Sequence, residues 1–311
     1  MRKILITGGA GYIGSKLATK LLNLNFNVTI LDILKFSGKS INHLYKHKNF
    51  TFIKGDVRNK RLIKKLIKSN EFIVPLAALV GAPLCEKKKK EAIDVNLESI
   101  KFLMQNVKEK NKIIYLTTNS GYGIGQKDKY CDEKSSLNPI SLYGRTKVEA
   151  EKIVMKHKNS IGFRLATVFG HSYRMRTDLL VNNFVYRSVK LKKIKIFEPH
   201  FRRNYIHIED VVDGILFSIN NFNKLKSQIY NLGLSSANLT KIMLAKKIKK
   251  QIPLLKIIIV KNIKDPDQRD YYVSNKKIEK KGFKAKIKIE DGIKELIYIF
   301  TYSKEKITNN Y

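Results

Sequence analysis

Apolar and polar positions along this chain fall into two alternating rhythms. Short apolar runs recur at residues 4–6, 27–31, 51–53, 72–76, 113–116 and 161–166. Runs of that length, rich in Ile, Val and Phe, predict strands buried on both faces. Between them apolar residues recur every three or four positions, the spacing of one helix face. Ile13, Leu17, Leu21 and Leu24 form the first such set and residues 61–67 the second. Ile93, Leu97, Ile100, Met104 and Val107 form a long third, and another helix is expected over residues 141–156. This alternation predicts an α/β fold, a doubly wound parallel sheet covered by helices on both faces.

The alternation loosens after Gly170. Helices are expected at residues 178–189, 209–219, 240–250 and 290–300, with strands at 194–197, 205–207, 228–232 and 256–260. These predict a smaller C-terminal α/β lobe. The chain divides on this reading into residues 1–170 and 171–311, with room for it to cross back between lobes. No internal repeat or Pro/Gly-rich linker marks the boundary.

The junction of the first strand and first helix carries the most specific pattern. Gly9, Gly11 and Gly14 satisfy G-x-G-x-x-G, and Gly8, Gly11 and Gly14 satisfy its G-x-x-G-x-x-G variant. A tight strand-to-helix turn accounts for the glycines alone. In this context a dinucleotide accounts for them better, because its pyrophosphate must lie against free N–H groups at a helix N-terminus. The second strand also ends on Asp32, at roughly the twenty-residue spacing expected for a carboxylate that binds the adenosine ribose. Such a carboxylate repels a 2′-phosphate, so the pattern points to NAD rather than NADP.

Composition changes the picture in one respect. The 311 residues carry a formal charge of +36, which raises nucleic-acid binding as a reading. Against it, only eleven of the 62 basic residues are Arg, the side chain that forks onto bases and phosphates. The lysines are spread along the chain, and Asn and Ile are abundant, as in a genome rich in A and T. Compositional drift is the better account, and no nucleic-acid partner is expected. A basic field still favours an anionic small substrate. Cys85 and Cys131 fit neither a disulfide framework nor a zinc site, so no metal is expected. The apolar runs fall short of a membrane span, and a soluble cytoplasmic protein is expected.

Tyr143 and Lys147 stand four residues apart on the expected helix at 141–156, on one face of it. A phenol titrates near pH 10, and a neighbouring ammonium favours the phenolate, which makes it a usable base. The strand at 113–116 runs out onto Thr117 and Thr118, and Thr118 should stand beside the cofactor. A hydroxyl donor, a Tyr base and a Lys are the parts needed for hydride transfer at a carbinol. A surface Tyr and Lys with a strand-end Thr is the plain alternative.

The segments ILITGGAGYIGSKL, FIKGDVRN, PLAALVGAP, the Asp94-Val95-Asn96 triplet, YLTTNSGYG, SLYGRTKVEAE, FRLATVFG and RRNYIHIEDV resemble the extended short-chain dehydrogenase/reductase family. These are the nucleotide-sugar epimerases and dehydratases, and the likeness spans nearly the whole chain. It implies a Rossmann-type sheet, NAD as cofactor and a nucleoside-diphosphate sugar as substrate. Tyr143 would be the catalytic base, Lys147 would also bind the nicotinamide ribose, and Thr118 would be the hydroxyl partner. Gly8, Gly11, Tyr12, Ile13, Gly14 and Asp32 would hold the cofactor together with Asp56, Val57, Leu76, Ala77, Ala78 and Asn96. In the 4,6-dehydratases an Asp-Glu pair follows the catalytic Thr; here Asn119 and Ser120 follow it. Dehydration is therefore not expected, and those two residues are assigned to substrate binding. Pro75 replaces a frequent His, and Thr167 replaces a frequent Asn near the sugar diphosphate.

More narrowly, AALVGAPLCE, TTNSGYGIG, RMRTDLLVN, YNLGLSSANLT and DPDQRDYYVSN resemble a bacterial subgroup containing the NAD-dependent GDP-heptose 4-dehydrogenase of capsule biosynthesis. That likeness implies oxidation at C4 of GDP-linked heptose. An epimerase shares the first half-reaction, and a non-catalytic NAD-binding scaffold is a remoter alternative. Arg203 and Arg269 match the family's diphosphate-binding arginines, and Arg174 and Arg176 lie where a substrate loop is expected. Each could instead be a surface charge pair, and His207 reads as structural. The family's pairing habit, with the apolar set at residues 93–107, predicts a homodimer through helices around 91–110 and 141–156.

Overall fold

Seven parallel strands form the centre of the computed structural model, which describes residues 2–126, 129–260 and 269–302. They are β1 (Lys3–Thr7), β2 (Asn27–Asp32), β3 (Phe50–Lys54), β4 (Phe72–Pro75), β5 (Lys112–Thr118), and two later strands at Ser160–Leu165 and Gln228–Leu232. Their order across the sheet is β3-β2-β1-β4-β5, followed by the two later strands. The order reverses between β1 and β4, the kind of switch point where an α/β sheet opens a crevice at its C-terminal edge. Side-chain alternation explains the apolar runs. Ile4 and Ile6 enter the core on one face and Leu5 the core on the other, all fully buried.

Helices cover both faces. α1 (Tyr12–Asn23) packs on the first face and α2 (Lys60–Ser69) on the second. α3 (Ala82–Lys87) and α4 (Lys89–Ile93) follow β4, and α5 (Ser99–Asn106) precedes β5. Where one helix was expected over residues 93–107, a π-helical turn at Asp94–Glu98 separates α4 from α5. Within that turn Asn96 accepts from the Leu79 N–H at 2.8 Å and donates to the Leu79 carbonyl at 2.9 Å. Of the long apolar set, Ile100 is buried, and Leu97, Met104 and Val107 pack against the same core cluster. Only Ile93 of the five is exposed. The apolar surplus that suggested pairing between copies is thus largely used inside the protomer.

β6 (Tyr130–Cys131), α6 (Leu142–Val154) and β7 (Ser160–Leu165) complete the first half. The second half supplies β8 (Thr167–Phe169), α7 (Leu180–Leu191), β9 (Lys193–Phe197), β10 (Arg202–His207), α8 (Ile208–Asn220), α9 (Phe222–Leu225), β11 (Gln228–Leu232), β12 (Asn238–Thr240), α10 (Lys241–Gln251), β13 (Lys256–Val260), β14 (Tyr272–Val273), α11 (Lys276–Lys280) and α12 (Ile289–Tyr302). Small sheets build the second lobe: β12-β10-β8, the pair β13-β9, and the pair β14-β6. β11 leaves that lobe and adds to the main sheet alongside β7, with Gln228 opposite Ile161. α8 also returns to pack on α1, where Lys16 pairs with Glu209 and Lys20 with Asp213. No helix among the described residues is long and apolar enough to cross a membrane.

Candidate active site

A cavity of about 560 Å³ lies over the C-terminal ends of the strands at the switch point. That volume is in the range of small-molecule sites. Its floor is the glycine turn. Gly8 sits at φ +71, and a Cβ there would come within 2.6 Å of the Ala77 backbone nitrogen. A Cβ on Gly14 would meet the Gly8 carbonyl and Gly9 Cα at 2.6 Å. The two glycines therefore let strand, turn and helix close on one another. Gly11 caps α1 without any side-chain acceptor for the helix's first N–H groups, which leaves them to an anion. Gly8, Gly11, Tyr12, Ile13 and Gly14 all line the cavity.

Asp32 closes this end. Its carboxylate accepts from the Ala10 N–H at 3.0 Å and the Leu34 N–H at 2.8 Å. Burial raises its pKa, and those backbone hydrogen bonds oppose the rise. Asp56 and Val57 line the same wall, with Asp56 paired to Arg58 and its pKa lowered mainly by that hydrogen bond. Leu76, Ala77 and Ala78 line it from the end of β4. Asn96 does not line the cavity: it is 1 % exposed, and its amide is spent on Leu79. Asn96 thus braces the residues of the wall from behind it.

The strand end and α6 bring the reactive groups to the middle of the cavity. Ser141 caps α6 by accepting from the Gly144 N–H at 3.1 Å. The first two turns of that helix carry Tyr143 and Lys147 into the cavity opposite Thr118 and Ser120. Thr118 Oγ1 lies 2.8 Å from Ser120 Oγ and accepts from the Ser120 N–H at 3.1 Å. Arg269 donates to Ser120 Oγ from the far side. Lys147 is 6 % exposed, with its Nζ 4.1 Å above the ring centre of the fully buried Tyr115. Burial lowers its pKa to about 7, against a weaker upward pull from Glu151. Glu151 is itself bound by Arg164 at 2.7 Å. Asn119 is buried and is not among the residues that line the cavity.

Basic side chains from the second lobe form the opposite wall. Arg174, Arg176, Arg203 and Arg269 all line the cavity and all are at least half-buried. Arg176 is neutralised by Asp178. Arg203, on β10, donates to the Arg202 carbonyl at 2.9 Å. Phe36, Tyr271 and Lys241 also line the cavity, and sequence reasoning passed over them. Lys241 is 4 % exposed and donates to the Phe197 carbonyl at 2.9 Å, but in the sequence it is one lysine in a lysine-rich run. His207 pairs with Glu295 at 2.9 Å, outside the cavity lining.

The family model described as "NAD dependent epimerase/dehydratase family" matches residues 4–233. The chain belongs to that family. A Bacillus subtilis protein described as an uncharacterized UDP-glucose epimerase is 30% identical over 230 residues, covering 68% of this chain and 71% of that one. Among solved structures, dTDP-glucose 4,6-dehydratase of Bacillus anthracis in complex with NAD superposes with a TM-score of 0.85 at 23% identity, covering 98% of each chain. UDP-glucose 4-epimerase of Thermotoga maritima with UDP-glucose superposes with a TM-score of 0.83 at 22% identity, covering 96% of this chain and 98% of that one. The shared fold is a Rossmann-type α/β sheet.

NAD is the cofactor of this epimerase/dehydratase family, and the chain's own residues fit it. The uncapped N-terminus of α1, the close-packed glycines and the carboxylate at the end of β2 form a cradle for an adenosine diphosphate.

Proposed function

We propose that this member of the epimerase/dehydratase family oxidises a nucleoside-diphosphate sugar at C4, and that the sugar is GDP-linked D-glycero-α-D-manno-heptose. The observation that carries the proposal is one cavity that joins Thr118, Tyr143 and Lys147 to the glycine turn and to Arg174, Arg176, Arg203 and Arg269. NAD, when bound, supplies a hydride acceptor. Tyr143 removes the proton of the C4 hydroxyl, and Thr118 donates a hydrogen bond to the same oxygen. Lys147 holds positive charge beside the phenolate and binds the nicotinamide ribose. Arg203 and Arg269 bind the sugar's diphosphate, which a guanidinium can grip at two points.

Neither Asn119 nor Ser120 carries the carboxyl group of the acid and base that eliminate water, so the ketone is not carried on to dehydration. The relatives above carry UDP and dTDP in their names; the guanine base and the heptose rest on the segment resemblance. An epimerase is the second reading, favoured by the relative at 30% identity described as a UDP-glucose epimerase. The proposal extends to a homodimer in the cytoplasm, paired through the α4–α6 face.

Incubation with a panel of nucleotide sugars separates the readings. A C4 dehydrogenase forms a ketone, trapped by borodeuteride, with reduced nicotinamide produced in step. A C4-inverted sugar with no trapped ketone and no lasting reduced-nicotinamide absorbance would establish the epimerase instead. If no GDP-sugar reacts but a UDP- or dTDP-sugar does, the base assignment fails and the chemistry stands.

A further inference from the structure

The four arginines that the second lobe brings to the cavity are not equivalent. Arg174 is 6 % exposed, and its Nε and Nη2 are buried without an acceptor among the described residues. Nη1 donates to the neighbouring Met175 carbonyl at 3.3 Å. Its remaining partner is the ring of Phe36, 4.2 Å from the guanidinium carbon. A buried guanidinium without a counter-ion is costly, and an anionic ligand is the usual remedy. Burial and the charge of Arg176 both act against its protonated form, with Asp178 opposing weakly.

The residues just before Arg174 fix where that ligand lies. Ser172 donates to the Tyr12 carbonyl at 2.6 Å, and its hydroxyl is 3.2 Å from that of Ser15. Tyr173 stacks on His43 at 4.1 Å between ring centres and receives the Lys16 ammonium at 5.5 Å. Residues 172–173 are thus seated on the first turns of α1. Phe36 follows Asp32 by four positions, at the exit of β2. Arg174 thus follows directly on two residues seated on α1, and its guanidinium packs on a ring at the exit of β2, which points it to the adenosine side of the cavity. Arg269, by contrast, stands against Ser120, beside Thr118.

We propose that Arg174 binds the pyrophosphate of NAD, as a clamp reaching from the second lobe over the N-terminus of α1. Both the cofactor and the substrate bring a diphosphate, and the seating on α1 assigns Arg174 to the cofactor's. The clamp gives the second lobe a direct hold on the cofactor, so NAD binding and the placement of residues 172–178 are linked. The inference rests on NAD binding alone and stands apart from which sugar is oxidised.

Calorimetry with Arg174→Met, Arg174→Lys and the parent protein tests it without turnover. Arg174→Met should bind NAD and ADP-ribose roughly 10- to 100-fold more weakly, the loss expected for hydrogen bonds to a charged group. Arg174→Lys should fall in between. GDP and UDP, titrated at saturating NAD, should bind all three proteins equally. The ligand-free Arg174→Met protein should melt no lower than the parent, since the charge it loses has no counter-ion, while its gain in melting temperature with NAD shrinks. Unchanged NAD affinity in Arg174→Met would overturn the clamp. So would weakened GDP and UDP binding with NAD unaffected, which would give Arg174 to the substrate. If Arg174→Met fails to fold, parent-like NAD affinity in Arg174→Lys has the same force, because a point charge cannot make the forked contact.

Discussion

Lys147 shows how a group can serve chemistry at the expense of stability. Its pKa falls to about 7 from an ordinary 10.5 because the ammonium is buried. Between about pH 7 and 10.5 the unfolded chain holds a proton there that the native protein has shed. Stability from this group therefore rises with pH through that window, and the penalty is fully present below it. Lys147→Met should abolish turnover yet melt higher than the parent at neutral pH, by about 2 °C for a gain near 1 kcal/mol. The difference should shrink as the pH approaches 10; a variant that melts lower at every pH would refute the account. Tyr143→Phe should lose several powers of ten in rate, beyond the usual 10²–10⁴ for a general base, with NAD affinity nearly unchanged by calorimetry. Asp32→Ala should narrow the preference for NAD over NADP, checked by comparing their dissociation constants. The residues legible in the sequence were those in fixed spacings, the glycines and the Tyr/Lys pair. Asn96 and Asn119 lie outside the cavity lining, which a motif position could not tell because it does not say which way a side chain turns. Phe36 and Lys241 left no signal, since a loop phenylalanine and one lysine among many have nothing to mark them.

At the scale of elements, buried strands were legible because both of their faces enter a core, and their composition shows it. Boundaries were less so. The helix expected at 178–189 is α7, Leu180–Leu191, and the strand expected at 205–207 extends back to Arg202. β6, β8, β12 and β14 are two or three residues long, too short for any periodicity. The π turn at Asp94–Glu98 left the apolar spacing nearly helical and so passed unseen. The cap of α6 has a measurable role. Ser141→Ala frees the Gly144 N–H and should cost about 1 kcal/mol, loosening the turn that carries Tyr143. A fall in kcat exceeding any change in NAD affinity is the expected result. On the proposed pairing face, Ile93 is exposed on α4, and Arg145, Glu149 and Lys152 are exposed on α6. Light scattering at micromolar concentration should give a dimer mass for the parent and a monomer for Ile93→Lys. A monomeric parent would reject the pairing.

For the whole molecule, the α/β architecture followed from the rhythm of the sequence, while the path of the chain between lobes did not. Strand propensity says nothing about which sheet a strand joins, and β11 joins the one begun by β1. This has a consequence for how the protein is made. As the chain leaves the ribosome at roughly 5–20 residues per second, β7 emerges with a bare row of N–H and C=O groups along one side. That edge stays open for several seconds, until residue 232 arrives to cover it. A nascent chain stalled in between is a template for pairing with its neighbours, so chaperone demand should peak there. A fragment ending at residue 170 should be recovered as aggregate even though it contains the complete nucleotide cradle.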